Sequence, residues 1–294
     1  MKKIIGPLAL AFTLLASPAF AKPLKVVASF SVIGDIVREI GGDKIALKVL
    51  VGPDGDAHTF EPAPTHAKAL HMADLIVVNG LGLESWMEKL IVASGTPAPV
   101  VVTSLGITPR QMNEDGRIVT DPHAWQDLRN GIIYVRNIEA ALKKADPADA
   151  AFFQAKAEAL IARLTALDAW TRQQMSAVPG EKRKVITTHE AFGYFAAAYG
   201  VTFFAPEGLS TDAEPSARAL AALIDQIKRE HIKALFIENM TDPRLMKMIS
   251  TETGAEMGGE LYSDALSTAN GPAPTYPAMF ENNVPKLVAA MEKN

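Results

Sequence analysis

One uninterrupted helical segment constrains this chain more than any other feature. Ala148 to Met175 contains neither Gly nor Pro. Asp146-Pro147, just ahead of it, is a helix-start signal: an acidic cap, then a proline that a first turn tolerates. Phe153, Ala157, Leu160, Leu164 and Leu167 recur at spacings of 4, 3, 4 and 3 and draw one apolar stripe. At ~1.5 Å per residue the segment spans roughly 42 Å. That is too long for a crossover within one small sheet and suits a rod running along two domains. Pro179-Gly180 ends it. Such a stripe could also form a coiled-coil seam between two chains. Phe152, Phe153 and Trp170 in so short a stretch favour packing on the protein's own body.

The flanking sequence reads as two α/β halves. In the first, Leu24 to Phe30, Ala46 to Val51, Leu75 to Asn79 and Val100 to Thr103 are short β-rich runs. Helical patterns near residues 32–40, 64–71 and 84–93 lie between them. In the second, 184–187, 201–205, 234–238 and a stretch ending at Tyr262 read as strands, with helices over 191–199, 216–230, 243–253 and 276–293. Alternation of this kind predicts mainly parallel sheets flanked by helices. The fold class is therefore α/β: two lobes joined by one long backbone helix. The expected boundaries are 1–21 for a leader, 22–145 for the N-terminal lobe, 146–178 for the linking helix and 179–294 for the C-terminal lobe. A faint echo links the lobes. Val26-Val27-Ala28-Ser29 with Gly34 and Gly41 matches Val185-Ile186-Thr187-Thr188 with Gly193 and Gly200 at one constant offset.

The first 21 residues have the form of a secretory signal peptide. Lys2 and Lys3 precede an apolar run from Ile4 to Leu15, and Ala19-Phe20-Ala21 is a small-x-small cleavage pattern. The run is too short for the ~20 residues that span a bilayer. The expected product is periplasmic, cleaved after Ala21, with no stable membrane insertion. The chain has no cysteine, which excludes disulfides, thiolate metal sites, cysteine nucleophiles and lipid attachment through an N-terminal Cys. A net charge of -4 with no basic stripe argues against nucleic acid as a partner.

Six histidines are present. His66 and His71 lie on a polar-patterned helix and His231 ends a charged one, so solvated or capping roles are expected. The other three differ. His58 follows a Gly/Pro/Asp loop after a strand, His123 sits in the turn Asp121-Pro122-His123, and His189 ends a strand. Asp264 also follows a strand end. Ligands in parallel α/β sheets collect beyond the carboxyl ends of strands, and neutral imidazole with carboxylate suits borderline divalent cations. Taken singly, a histidine in such a place is more often structural. The separations of 65, 66 and 75 residues match no short metal motif, so the residue pattern alone leaves the site open.

Four motifs close the gap. GDAHTFEPAP (55–64), DPHAW (121–125), TTHEAFGYFAAAYG (187–200) and ELYSDALS (260–267), in this order, resemble the metal-binding cluster of the zinc- and manganese-type solute-binding proteins of ABC importers. The resemblance covers the whole chain after the leader. It implies two lobes on a rigid helix, with His58 and His123 as metal ligands from the first lobe and His189 and Asp264 from the second. It implies an ABC permease as partner, a divalent metal ion as transported ligand, no catalytic residues, and a monomer. The third ligand position carries His or Glu in this family, and here it is His189. Glu61, Asp121 and Glu190 are candidates for orienting the ligand imidazoles.

Three imidazoles and one carboxylate favour Zn2+, with Mn2+ as the second choice. The segment Gln111 to Val119 is short and lacks the histidines that zinc-dedicated relatives carry there, which points to a broader zinc/manganese receptor. A single long helix resists wide hinge motion, so small lobe rotations are expected, with His189 or the Asp264 loop moving most. Two other readings compete. One is a secreted zinc-dependent hydrolase using Glu190 as base, although no HExxH motif occurs. The other is a receptor of the same architecture for an iron chelate.

Overall fold

The computed structural model describes residues 22–114, 117–212 and 215–294. The leader and its cleavage after Ala21 lie outside the described residues. The first lobe is built on a parallel sheet of β1 (Leu24–Phe30), β2 (Ile45–Val51), β3 (Leu75–Val78) and β4 (Val100–Val102), in the order β2-β1-β3-β4. Helices α1 (Ser31–Gly41), α2 (Pro64–His71) and α3 (Met87–Ser94) connect them. β1 is central because its last five residues are buried. α1 presses Val32, Ile33, Ile36, Val37 and Ile40 onto the sheet. Gly34 permits this approach: a Cβ there would meet Val49 Cγ2 at 2.5 Å.

A hairpin follows, β5 (Gln111–Glu114) antiparallel to β6 (Arg117–Thr120). Next come α4 (Leu128–Ala145) and the long α5 (Ala150–Ala177). The second lobe comprises β7 (Lys184–Ile186), α6 (Gly193–Tyr199), β8 (Thr202–Phe204), α7 (Ala217–Glu230), β9 (Ala234–Glu238), α8 (Arg244–Thr253), β10 (Glu256–Leu261) and α9 (Tyr276–Met291). Its parallel sheet has the order β10-β9-β7-β8. Counted within each lobe, both sheets run second–first–third–fourth. The sequence echo therefore falls on equivalent strand–helix units, β1-α1 and β7-α6.

The rod is where the Gly- and Pro-free segment places it, displaced by two residues. Asp146 accepts a hydrogen bond from the Ala148 N–H at 3.2 Å and Pro147 opens a single 3-10 turn before α5 begins. The stripe Phe153, Ala157, Leu160, Leu164 and Leu167 is buried, continued by Thr171 and Met175. It packs on α1, α4 and α9, so the chain's own helices fill the face that a coiled-coil partner would need.

α9 touches both lobes. Its first residue, Tyr276, donates its backbone N–H to Asp35 of α1 at 2.8 Å and its hydroxyl to the Trp125 carbonyl. Further along, Phe280 stacks on Phe195 of α6. One continuous apolar core accordingly runs through both sheets and around the rod. A smaller cluster of Ile186, Leu223, Ile227, Leu235, Met246 and Ile249 lies under α7 and α8. No helix among the described residues is long and apolar enough to cross a membrane.

Candidate metal centre

Loops leaving the strands deliver four side chains to one buried point between the lobes. His58 arrives on the loop after β2, where Asp56 Oδ1 accepts its backbone N–H at 2.8 Å. His123 follows β6, held by Asp121 at its backbone N–H at 3.0 Å. His189 follows β7 and Asp264 follows β10. One nitrogen or oxygen from each of the four lies within 4.8 Å of all the others. His58 Nε2 is 3.2 Å from His123 Nε2 and 3.0 Å from Asp264 Oδ2. His189 Nε2 is 3.2 Å and His123 Nε2 3.4 Å from the same oxygen. His58 is 8% exposed and the other three are fully buried.

The three rings present Nε2 inward. On the outer side, carboxylates sit at Nδ1: Asp121 Oδ1 at 2.9 Å from His123 and Glu238 Oε2 at 2.9 Å from His189. The Glu238 contact is off the axis of a well-aligned N–H donor. A carboxylate at Nδ1 keeps the proton there and leaves the Nε2 lone pair for the centre. Asp264 Oδ1 is buried without a hydrogen-bond partner. A buried carboxylate oxygen with no donor is costly unless something else coordinates it.

Electrostatics tell the same story. Burial pushes the Asp264 carboxyl up, but the imidazoles of His123 and His189 pull harder and hold it well below the usual range. Burial opposes charge on His123, yet Asp264 and Asp121 outweigh it and raise the ring to about 9. His189 is likewise raised well above 6.5, because Glu238 and Asp264 overcome its burial. Both shifts favour the protonated rings of His123 and His189. A divalent ion would supply the same positive charge and take the lone pairs directly. Three nitrogens and one oxygen suit a borderline transition metal.

Asp121 takes the orienting role expected of it, whereas Glu61 is exposed. Glu190 lines a separate cavity of about 280 Å³ with Arg110, Phe192 and Phe203. Glu238, at the end of the buried strand β9, is the orienting carboxylate that sequence reasoning missed. An acidic residue closing the apolar run Ala234 to Ile237 was the available signal. The remaining histidines are structural. His66 Nδ1 accepts the Ala63 N–H at 2.8 Å, His71 Nδ1 lies 3.1 Å from the Ser94 carbonyl, and His231 caps α7 in a left-handed conformation.

Residues 26–290 match the family described as "Zinc-uptake complex component A periplasmic". The chain belongs to that family. Relatives of this zinc-uptake family include the "Iron-binding protein YfeA" of Yersinia pestis, 35% identical over 90% of this chain and 85% of its own length. Another is the "Manganese-binding lipoprotein MntA" of Halalkalibacterium halodurans, 32% identical over 92% of this chain and 89% of its own. Among solved structures, the periplasmic zinc-binding protein TroA from Treponema pallidum superposes with a TM-score of 0.87 at 31% identity, covering 92% of this chain and 99% of that one. Members of the zinc-uptake family are solute-binding proteins, and neither the hydrolase nor the chelate reading finds support among these matches.

Proposed function

We propose that this chain is the exported solute-binding component of an ABC metal importer, and that His58, His123, His189 and Asp264 together hold one divalent transition-metal ion as cargo. The observation that carries the reading is the convergence of three inward Nε2 atoms on a carboxylate whose other oxygen is buried without a donor. Four protein donors fill a tetrahedral shell and leave no open position for a reactive water, which suits carriage rather than catalysis. On this reading the protein is not an enzyme.

Zinc is the favoured cargo because of the nitrogen-rich donor set. Manganese is the second choice. The relatives are named for iron, manganese and zinc, so supply in the cell acts together with affinity order in deciding what is carried. Loaded protein then docks on a membrane permease as a monomer. The mature chain starts after Ala21, with lobes over 22–145 and 179–294 and the segment 146–178 between them.

Thermal unfolding with and without equimolar zinc tests this function. A ligand that binds only the folded state raises the midpoint by mass action. The rise is expected in the native sequence and is expected to vanish in a His58→Ala/His189→Ala double variant. No rise in the native protein, or an undiminished rise in the variant, removes the assignment.

A further inference from the structure

The Asp264 loop belongs to the second lobe by sequence but is fastened to the first. The carbonyl of Ser263 accepts two hydrogen bonds from the first lobe, from Trp125 Nε1 at 2.9 Å and Gln126 Nε2 at 3.0 Å. The Leu266 N–H donates to Ser31 Oγ at 3.0 Å, and the Leu266 carbonyl accepts the Asp54 N–H at 3.0 Å. Four bonds across the lobe boundary thus bracket Asp264. One residue earlier the allegiance reverses. Tyr262 is bonded through its N–H and carbonyl to the Asn283 side chain of α9, at 3.1 and 2.6 Å.

His189 is hung differently. Glu238 Oε1 accepts the backbone N–H groups of Thr188 and His189, both at 3.0 Å, while Oε2 faces the ring. Glu190 N–H and the Thr188 carbonyl bond to Gly208 and Glu207 at 3.0 and 3.2 Å. These partners all belong to the second lobe. Outside the His189–Asp264 contact in the site itself, the two mountings are joined where Ser263 Oγ donates to Glu238 Oε2.

The lobe boundary differs on the two sides in the same sense. Around Ser263 it is closed, with Trp125, Gln126 and Ser263 buried. On the side of His58 and His189 it holds a cavity of about 640 Å³, with Asp56 and Thr59 on one wall and Glu207 and Thr241 on the other. Thr211 Oγ1 reaches Asp56 Oδ2 across it at 2.6 Å. Separating hydrated surfaces costs less than separating a closed, hydrogen-bonded seam.

We propose that the site divides mechanically three to one: His58, His123 and Asp264 form a half-site fixed to the first lobe, and His189, carried by Glu238, is the ligand that withdraws to admit and release the ion, with the Ser263–Glu238 hydrogen bond as its latch. The proposal rests on the metal reading above and sharpens it. Closure then needs only the second sheet's His189 corner to travel, a motion compatible with a continuous α5.

Amide hydrogen exchange on the exported full-length protein, with and without one equivalent of zinc sulfate, tests the division. In the metal-free protein the amides of 187–190 and of 266–267 are all hydrogen-bonded, and opening of the His189 corner is expected to make 187–190 exchange the faster of the two. Zinc is expected to slow 187–190 at least ~10-fold and 264–267 less than ~2-fold. Equal gains at both segments, or a gain confined to 264–267, overturn the division while leaving the metal site standing. No zinc-dependent protection around any of the four residues removes the metal reading, and the division with it. A Ser263→Ala variant supplies an independent readout. Its zinc off-rate, followed by chelator competition, is expected to rise several-fold with no change in stoichiometry, and an unchanged off-rate rejects the latch.

Discussion

Glu238 stands 2.9 Å from the Nδ1 of His189 and accepts the backbone N–H of the same residue at 3.0 Å. A single carboxylate thereby holds the backbone of one ligand residue and faces its ring at Nδ1, which favours a proton there. Glu238→Gln keeps the size and one acceptor but removes the charge. Loss of such an orienting partner costs 10–100-fold in metal affinity as a rule of thumb, and about that loss is expected here. Calorimetric titration with zinc checks it, with the far-UV spectrum showing that the fold survives. Affinity within ~2-fold of the native value would show that Glu238 does not orient His189.

Protons and metal compete for the same lone pairs. In the metal-free protein His123 titrates at about 9 rather than 6.5. A folded value raised in this way gives stability that is complete below about pH 6.5 and disappears as the pH climbs through 9. Metal-free protein is therefore expected to lose stability between pH 6.5 and 9. Zinc binding in that window must expel the proton, so affinity rises with pH and the zinc-induced gain in midpoint grows. Melting curves from pH 6 to 9, with and without zinc, check both slopes. Titrations in buffers of different ionisation enthalpy count the protons released.

Gly131 faces Tyr276 across the contact between α4 and α9. A Cβ at residue 131 would collide with the Tyr276 hydroxyl oxygen. That hydroxyl donates to the carbonyl of Trp125, two residues beyond His123. Gly131→Ala is expected to destabilise by about 1–3 kcal/mol, the range for overpacking a close-packed site. Zinc affinity should fall with it, because the Trp125 turn loses its support. Urea unfolding and zinc titration of the variant give the two numbers. Unchanged stability would mean that the approach is looser than described.

Asp35 is buried beneath α9 and accepts the Tyr276 N–H at 2.8 Å. Burial raises its carboxyl from 3.8 to about 6, against the pull of that hydrogen bond and of Arg38. A carboxyl raised on folding favours the native state when protonated, so its contribution falls as the pH rises from about 4 through 6. Asp35→Asn should flatten the stability profile over that interval. Denaturation midpoints at pH 4, 5, 6 and 7 decide the point, and an unaltered slope would exonerate Asp35.

Much of this architecture was legible because the signals were local. The rod announced itself through absent Gly and Pro and a 3-4 apolar spacing. Strands such as Leu24–Phe30 and Ala234–Glu238 are short, β-rich and mainly apolar runs, and they fall where the sequence puts them. α4 is absent from the expected elements, although Leu128, Tyr134, Val135, Ile138 and Leu142 form a buried stripe behind the cap Asp127. The β5–β6 hairpin is absent from the expected elements, although the sequence carries Asp-Gly at 115–116, a turn-favouring pair. The convergence of His58, His123, His189 and Asp264 is a property of tertiary folding. Spacing could not show it, and only the four motifs in order pointed there. The pair Trp125–Gln126 acts across the lobe boundary, so no local pattern marks it, and Glu238 acts across strands with only its place at the end of an apolar run to mark it.

The central claim is that these four side chains hold one metal ion. Native mass spectrometry of the exported protein, titrated with zinc under conditions that preserve the fold, tests it most directly. One zinc per chain at one equivalent is the predicted result for the native sequence, with none retained by His58→Ala/His189→Ala. A double variant that still carries one tightly held ion would contradict it.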